Sequence, residues 1–221
     1  GVTKREKEAE EWLLKAIKKQ NTNAMIYLGW RYIDGAGVEK NPEKGEQLLL
    51  QAAELGNVIA MEELGCRLID GMGLKQDKGR GEQFLLRGVA LHNADCMYEL
   101  GWRILDGRLP NRNRVEGEQL LRKAVELGSI KAETELGWCM IQGKTAVPNP
   151  VEGVQILRKA AEQGFARAMY LLGWCLMEGK YGIVKRVEEA MEWLQKAIDK
   201  KYTSAMVYLG CCYLEGFNIK K

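Results

Sequence analysis

Small and apolar residues recur along this chain in one fixed frame. Leu-Gly pairs end at Gly29, Gly65, Gly101, Gly137, Gly173 and Gly210, at intervals of 36, 36, 36, 36 and 37 residues. A second glycine follows each six residues later, at Gly35, Gly71, Gly107, Gly143, Gly179 and Gly216. Self-similarity at such a period marks stacked supersecondary units. Within each unit the spacing predicts two helices. In the first, helix A, Ala24, Leu28, Gly29 and Tyr32 share one face. Ala60, Leu64, Gly65 and Leu68 repeat that set, as do Cys96, Leu100, Gly101 and Ile104, and Ala132, Ala168 and Ala205 open the remaining copies. Small residues there admit a neighbouring helix, and the later glycine ends the helix in a left-handed conformation.

Helix B follows a connector of about eight to ten residues. Its predicted copies are Glu43–Leu55, Gly79–Leu91, Val115–Leu127, Val151–Gln163 and Val187–Lys200, with apolar residues at helical spacing, as in Leu48, Leu49, Ala52 and Ala53. Gly56, Gly128 and Gly164 close three of them, and His92 and Lys201 stand where two further copies would hold that glycine. The expectation is an all-α solenoid of helix–turn–helix repeats forming one domain over 1–221. It consists of a half-unit at 4–20, repeats at 21–56, 57–92, 93–128, 129–164 and 165–201, and a half-unit at 202–221. The chain opens on a B-type helix (Lys4–Lys19) and stops after an A-type helix. Solenoids close on polar capping elements, so the lack of one after Gly216 is what a segment of a longer array would show.

The unit Ala-x3-Leu-Gly-x2-Tyr-x2-Gly-x-Gly-Val, followed by a helix ending Ala-Ala-Glu-x-Gly, resembles the Sel-1-like repeat, a relative of the tetratricopeptide repeat. It stands most clearly at 24–38 and 52–56. The resemblance implies a right-handed superhelical scaffold that binds proteins or peptides on a concave wall of A helices. Relatives serve as adaptors in eukaryotic quality control and signalling, and as bacterial proteins in host interaction. The connectors 108–114 and 144–150 depart from the family in lacking Gly-x-Gly.

With each Leu-Gly glycine as position zero, positions −6, −3, +1 and +5 point away from the packing face. Position +1 holds Trp30, Cys66, Trp102, Trp138, Trp174 and Cys211; position −3 holds Ile26, Glu62, Tyr98, Thr134, Tyr170 and Val207. Four of six tryptophans thus lie where helix packing does not require them, whereas Trp12 and Trp193 align with Leu48, Phe84, Leu120 and Ile156 and read as core. One indole can bury roughly 150–250 Å², so the set rivals the largest apolar patches of ordinary monomers, roughly 300–600 Å². Position +2 adds Arg31, Arg67 and Arg103, then Cys139, Cys175 and Cys212, and position +5 adds a row of Asp34, Asp70, Asp106, Gln142, Glu178 and Glu215. Glu63 with Arg67, and Glu99 with Arg103, have ion-pair spacing along a helix. The candidate partner-binding residues are Trp30, Arg31, Arg67, Tyr98, Trp102, Arg103, Trp138, Tyr170 and Trp174, with Asp34, Asp70 and Asp106 at the rim. The rival reading is that the rings fill one another's gaps within the fold.

Composition narrows the function classes. A net charge of +3 with interspersed signs lacks the positive excess expected of nucleic-acid binders. No run of eighteen apolar residues occurs to cross a bilayer. His92 is the one histidine, at a helix end, which removes two-histidine metal sites and disfavours a histidine-based triad. The Gly-Ala-Gly at 35–37 and Gly-Met-Gly at 71–73 follow helices, not strands, so they do not read as phosphate loops. No catalytic residue, cofactor or metal is therefore expected. Cys139, Cys175 and Cys212 occupy equivalent places in successive units, too far apart to bridge at helix spacings of about 8–10 Å. Free thiols point toward a reducing compartment, though the chain starts at glycine and leaves compartment and any leader open. The basic connector residues read as solvated loops. The sequence supports a scaffold that binds a protein or peptide, with oligomeric state open. A bacterial effector or toxin-immunity protein is the alternative, and a hydrolase or a structural spacer stands behind both.

Overall fold

The computed structural model describes residues 3–214. Among them lie twelve α-helices and no strand: α1 (Lys4–Ile17), α2 (Thr22–Asp34), α3 (Pro42–Glu54), α4 (Val58–Asp70), α5 (Lys78–Ala90), α6 (Ala94–Leu105), α7 (Arg114–Glu126), α8 (Ile130–Ile141), α9 (Pro150–Glu162), α10 (Ala166–Glu178), α11 (Val187–Asp199) and α12 (Thr203–Leu214). Even-numbered helices are the A helices and odd-numbered ones the B helices. The chain forms two compact units, Gly1–Leu100 and Gly101–Lys221, the division falling inside α6.

Most helices start on a side chain that caps them, α10 and α11, behind Phe165 and Arg186, being exceptions. Asn21, Asn57 and Ser129 accept hydrogen bonds from backbone N–H groups at the starts of A helices, and Asn41, Asp77, Asn113 and Asn149 do so for B helices. Replacing such a cap by alanine costs about 1 kcal/mol. The ends of the B helices turn through the left-handed region. Gly56, Gly128 and Gly164 do so at φ of 85°, 86° and 90°, and Gln20, His92 and Lys201 do so at 59°, 55° and 61°. The two expected stand-ins for glycine are therefore structurally equivalent to it.

The two helices of a repeat cross where glycine faces glycine. A Cβ on Gly45 would lie 2.6 Å from the Gly29 carbonyl oxygen and 2.5 Å from Ile33 Cγ1. On Gly81, Gly117 and Gly153 it would lie 2.7, 2.9 and 2.6 Å from the carbonyl oxygens of Gly65, Gly101 and Gly137. Leu49, Leu85, Leu121, Leu157 and Leu194, four residues after the crossing on each B helix, are wholly buried. In the fifth repeat Ala190 takes the glycine's place, 17 residues after Gly173 where the other pairs are 16 apart.

One core assignment is overturned. Trp193 is 8% exposed, but Trp12 is 69% exposed, and Leu48, Phe84, Leu120 and Ile156 are only half-buried. This position looks toward the A helix before it: Ile156 Cγ2 lies 3.1 Å from where a Cβ on Gly137 would stand. Among the described residues no A helix precedes α1, so the Trp12 ring meets solvent.

Polar bonds tie consecutive repeats at their edges. Asn57 Nδ2 donates to Thr22 Oγ1 at 2.9 Å. Arg67 grips Asp34 with two parallel bonds, 2.9 and 3.1 Å, pairs with Glu63 on its own helix, and donates to the Met72 carbonyl at 3.3 Å. In the second unit Lys144 Nζ bonds Asp106 at 2.8 Å, with Arg108 beside it at 3.2 Å. The Arg67 guanidinium holds the Asp34 carboxyl below its ordinary value, and Lys144 does the same for Asp106.

Alanine at Gly81 should therefore force α4 and α5 apart and destabilise the chain by about 1–3 kcal/mol, the usual cost of overpacking. Alanine at Gly79, whose Cβ would meet only Asp77 Oδ1 at 3.7 Å, should raise stability by up to about 1 kcal/mol through helix propensity. Chemical denaturation of both variants checks the contrast. The Asp34 ion pair carries a pH signature. The unfolded chain takes up the proton first, so the pair's contribution is complete above an ordinary Asp pKa of about 4 and disappears as pH falls through the lower folded value. Asp34 is half exposed, which limits the effect to less than about 1 kcal/mol. Asp34→Asn should lower the melting temperature at pH 7 and flatten its fall below about pH 4; thermal melts across that range read both.

Candidate functional site

In the second unit the A helices bring aromatic side chains together. α8 supplies Trp138 and α10 supplies Trp174, whose rings meet edge to face with centroids 5.4 Å apart at 84°. Tyr170, one turn before Trp174, touches Tyr202 at 5.5 Å and Tyr208 at 6.1 Å. All five rings are half-buried, packed against the core while keeping part of their surface in solvent. Beside Tyr170 and Tyr208 a cavity of about 360 Å³ opens, also lined by Thr203, Ser204, Val207 and Cys211. Each such aromatic pair contributes about 0.5–1.5 kcal/mol beyond its buried area, so the cluster is preorganised.

Polar partners fix its edges. Tyr208 Oη donates to Glu178 Oε1 at 2.8 Å, and Lys180 Nζ reaches the other Glu178 oxygen at 2.9 Å. The lysine leads in holding Glu178 below the ordinary carboxylate value, while burial and the Glu178 bond push the Tyr208 phenol up. Burial likewise raises Tyr170. Tyr202 and Tyr208 escaped the sequence reading because it followed helix faces: Tyr202 lies just ahead of α12, and Tyr208 sits at position −2, between the packing and open faces. The run Tyr202-x5-Tyr208, following Tyr170 by about one repeat, was the available signal.

The remaining candidates fall in different surroundings. Trp102 is half-buried and flanked by the Arg103 and Arg108 guanidinium groups, 4.4 and 4.7 Å from its centroid. Trp30 and Tyr98, in the first unit, are also half-buried, and Trp30 packs against the Leu49–Leu64 cluster. Arg31 lies 4.8 Å from the Tyr27 ring and donates to Tyr27 Oη and to the Ala36 carbonyl. Asp70 is half-buried.

Several expectations for the open face need correction. Ile26 and Thr134 are buried, and Thr134 Oγ1 turns back to the Ile130 carbonyl at 2.8 Å. Position +2 faces inward: Arg103 is 2% exposed, and Cys139, Cys175 and Cys212 are buried beside it in the frame. Arg67 is committed to Asp34 and Glu63, and Asp106 to Lys144 and Arg108, so these rim charges join repeats. The pairing of Glu63 with Arg67 appears as its spacing implied. Glu215, of the same row, and Gly216 lie outside the described residues.

Burial pushes the Cys96, Cys139 and Cys175 thiols up to about 12, which leaves them poor nucleophiles near neutrality. Among the described residues no group of three or more His, Cys, Asp or Glu side chains is placed to hold a metal ion, and no helix is long and apolar enough to cross a membrane.

Comparison with known proteins agrees with this architecture. The Sel1 repeat model matches residues 1–21, 22–57, 58–93, 94–129, 130–165, 166–202 and 203–221. No curated protein matches the chain. Among solved structures, a Sel1 repeat protein from Oxalobacter formigenes is 26% identical, with a TM-score of 0.74 over 98% of this chain and 91% of its own. A protective antigen of uropathogenic Escherichia coli with an SLR fold is 23% identical, with a TM-score of 0.68 over 94% of this chain and 44% of its own. An immunity protein from Pseudomonas aeruginosa is 24% identical, with a TM-score of 0.53 over 73% of this chain and 60% of its own. Seven matched segments running the length of the chain settle its membership: it belongs to the Sel1 repeat family.

Proposed function

We propose that this chain binds a partner protein through the aromatic surface of its A helices, with Trp138, Trp174 and Tyr170 as the principal anchors. Sel1 repeats generally mediate protein–protein interaction. The observation that carries the site is the half-buried cluster of Trp138, Trp174, Tyr170, Tyr202 and Tyr208 next to an open cavity. Tryptophan and tyrosine dominate interface hot spots, and rings already locked against one another lose little entropy on binding. In the first unit Trp30, Arg31 and Tyr98 are secondary candidates. A peptide segment or a small domain rich in apolar side chains fits this surface better than a highly charged one, because the rim charges are already engaged in ion pairs.

The test is affinity capture from the native organism with identification by mass spectrometry, followed by affinity measurement on the purified pair. Trp138→Ala and Trp174→Ala should each weaken binding tenfold or more, the scale of a 1.4 kcal/mol anchor, while the chain still melts cooperatively. Unchanged affinity in a folded double variant defeats this reading. One tight partner would place the protein with toxin-neutralising binders, and several weaker ones with adaptors.

A further inference from the structure

The fifth repeat departs from the other four where its connector meets the B helix. Six positions separate the glycine closing the A helix from the N-cap of the B helix in four repeats: Gly35 to Asn41, Gly71 to Asp77, Gly107 to Asn113 and Gly143 to Asn149. From Gly179 to Arg186 there are seven. The added residue is taken up in a turn, with Tyr181 and Gly182 at φ of 58° and 76° and the Ile183 N–H donating to the Lys180 carbonyl at 3.1 Å. The connector's apolar anchor then fails to sink as the others do. Val38, Leu74, Leu109 and Thr145 are buried, whereas Ile183, three residues before the cap position like Val38 and Leu74, is half-buried.

A groove of about 340 Å³ opens between this connector and α9. Val154 of α9, Leu176 of α10 and Ile183 line it, and Val151 and Val184, 67% and 70% exposed, carry its apolar surface out to solvent. Its charged lining is all of one sign, Arg158 of α9 and Arg186. Both guanidinium groups turn to a single carboxylate, Glu189, at 2.5 and 3.3 Å. Two cations therefore share one anion. In the other repeats the position of Arg186 holds Asn41, Asp77, Asn113 and Asn149, each accepting from the backbone N–H three residues on, and Arg186 makes no such bond. The fifth repeat thus gives up a cap for a largely exposed ion pair of little worth. What it gains is a cation beside an apolar groove.

We propose that this groove binds an extended peptide segment of another protein, in which an aspartate or glutamate side chain lies close to large apolar ones. The apolar side chains settle over Val154, Leu176 and Ile183, and the carboxylate bonds Arg186, leaving Glu189 to Arg158. A segment running through fits better than a chain end, because Val151 on α9 and Val184 on the connector offer apolar surface on both walls, more than one terminal residue covers. The lining shares no residue with the cluster of Trp138, Trp174 and Tyr170, so the two surfaces can be tested apart.

The probe is a library of random peptides displayed on phage, panned on the 221-residue chain and counter-selected on Val184→Glu. Recovered peptides should share an acidic residue within a few positions of Leu, Ile, Met or Phe. Changing that residue to its amide in the tightest peptide should weaken binding about tenfold by fluorescence anisotropy, the scale of one charge-assisted hydrogen bond. Arg186→Asn separates site from fold, since it restores the cap of the other repeats. Its melting temperature should rise while peptide affinity falls about tenfold, opposite signs that a damaged fold cannot produce. Trp138→Ala with Trp174→Ala should leave this affinity unchanged. The proposal is overturned if every recovered peptide also binds Val184→Glu, if the shared motif lacks a carboxylate, or if Arg186→Asn binds as tightly. A peptide that responds to the tryptophans instead of Arg186 belongs to the aromatic surface and overturns it as well.

Discussion

Contact of two backbones at a glycine pair is the interaction on which each repeat depends. Without Cβ atoms at Gly29 and Gly45 the A and B helices touch carbonyl to α-carbon, and Leu49 drops over the crossing to be fully buried. The same geometry recurs at Gly65 with Gly81, Gly101 with Gly117, and Gly137 with Gly153. A methyl group at either position would hold the helices apart and open voids around the leucine, where each lost contact counts. The fifth repeat accepts alanine at one of the two sites, after a connector one residue longer. With one face of α2, α4, α6, α8 and α10 committed to this crossing, the strip that points away from it is left for other work.

What occupies that strip differs from a simple exposed ladder. Trp138 and Trp174 lean edge on face, and Tyr170 is held between Tyr202 and Tyr208. The rings brace one another and still keep part of their surface in solvent. The charges around them act differently from the rings. Asp34 with Arg67, Asp106 with Lys144, and Glu178 with Lys180 already satisfy one another, mostly across repeats. Breaking such a pair to engage a partner would leave a half-desolvated charge, a cost that apolar docking avoids.

The helices and their period were legible because the Leu-Gly frame is a direct imprint of the crossing, repeated six times. The second half of that crossing was equally periodic, at Gly45, Gly81, Gly117 and Gly153, but a glycine inside a helix reads locally as a weak spot and gains meaning only from its partner. Helical phase sets the tryptophans off the Leu-Gly packing face, and Trp30, Trp102, Trp138 and Trp174 are each half-buried. It did not foresee that Arg103 is buried, because phase on one helix says nothing of its neighbours. Tyr202 lay outside any helix and so outside the frame. The fates of Asp34 and Asp106 turned on cations roughly a repeat away, Arg67 and Lys144, which spacing along one helix cannot reveal.

Trp12 carries the deeper lesson. Its surroundings in sequence are almost those of Trp193, and its burial is the opposite. In a stacked repeat the hydrophobic face of one helix is completed by the next unit, so burial belongs to the neighbour as much as to the residue. The same reasoning applies at Gly210, whose five equivalents each meet a B helix while it meets nothing within 4 Å. A Leu-Gly pair is half of an interface, written in a form that any helix bearing a small residue and a leucine four positions on can complete. Within this chain α3, α5, α7, α9 and α11 answer it.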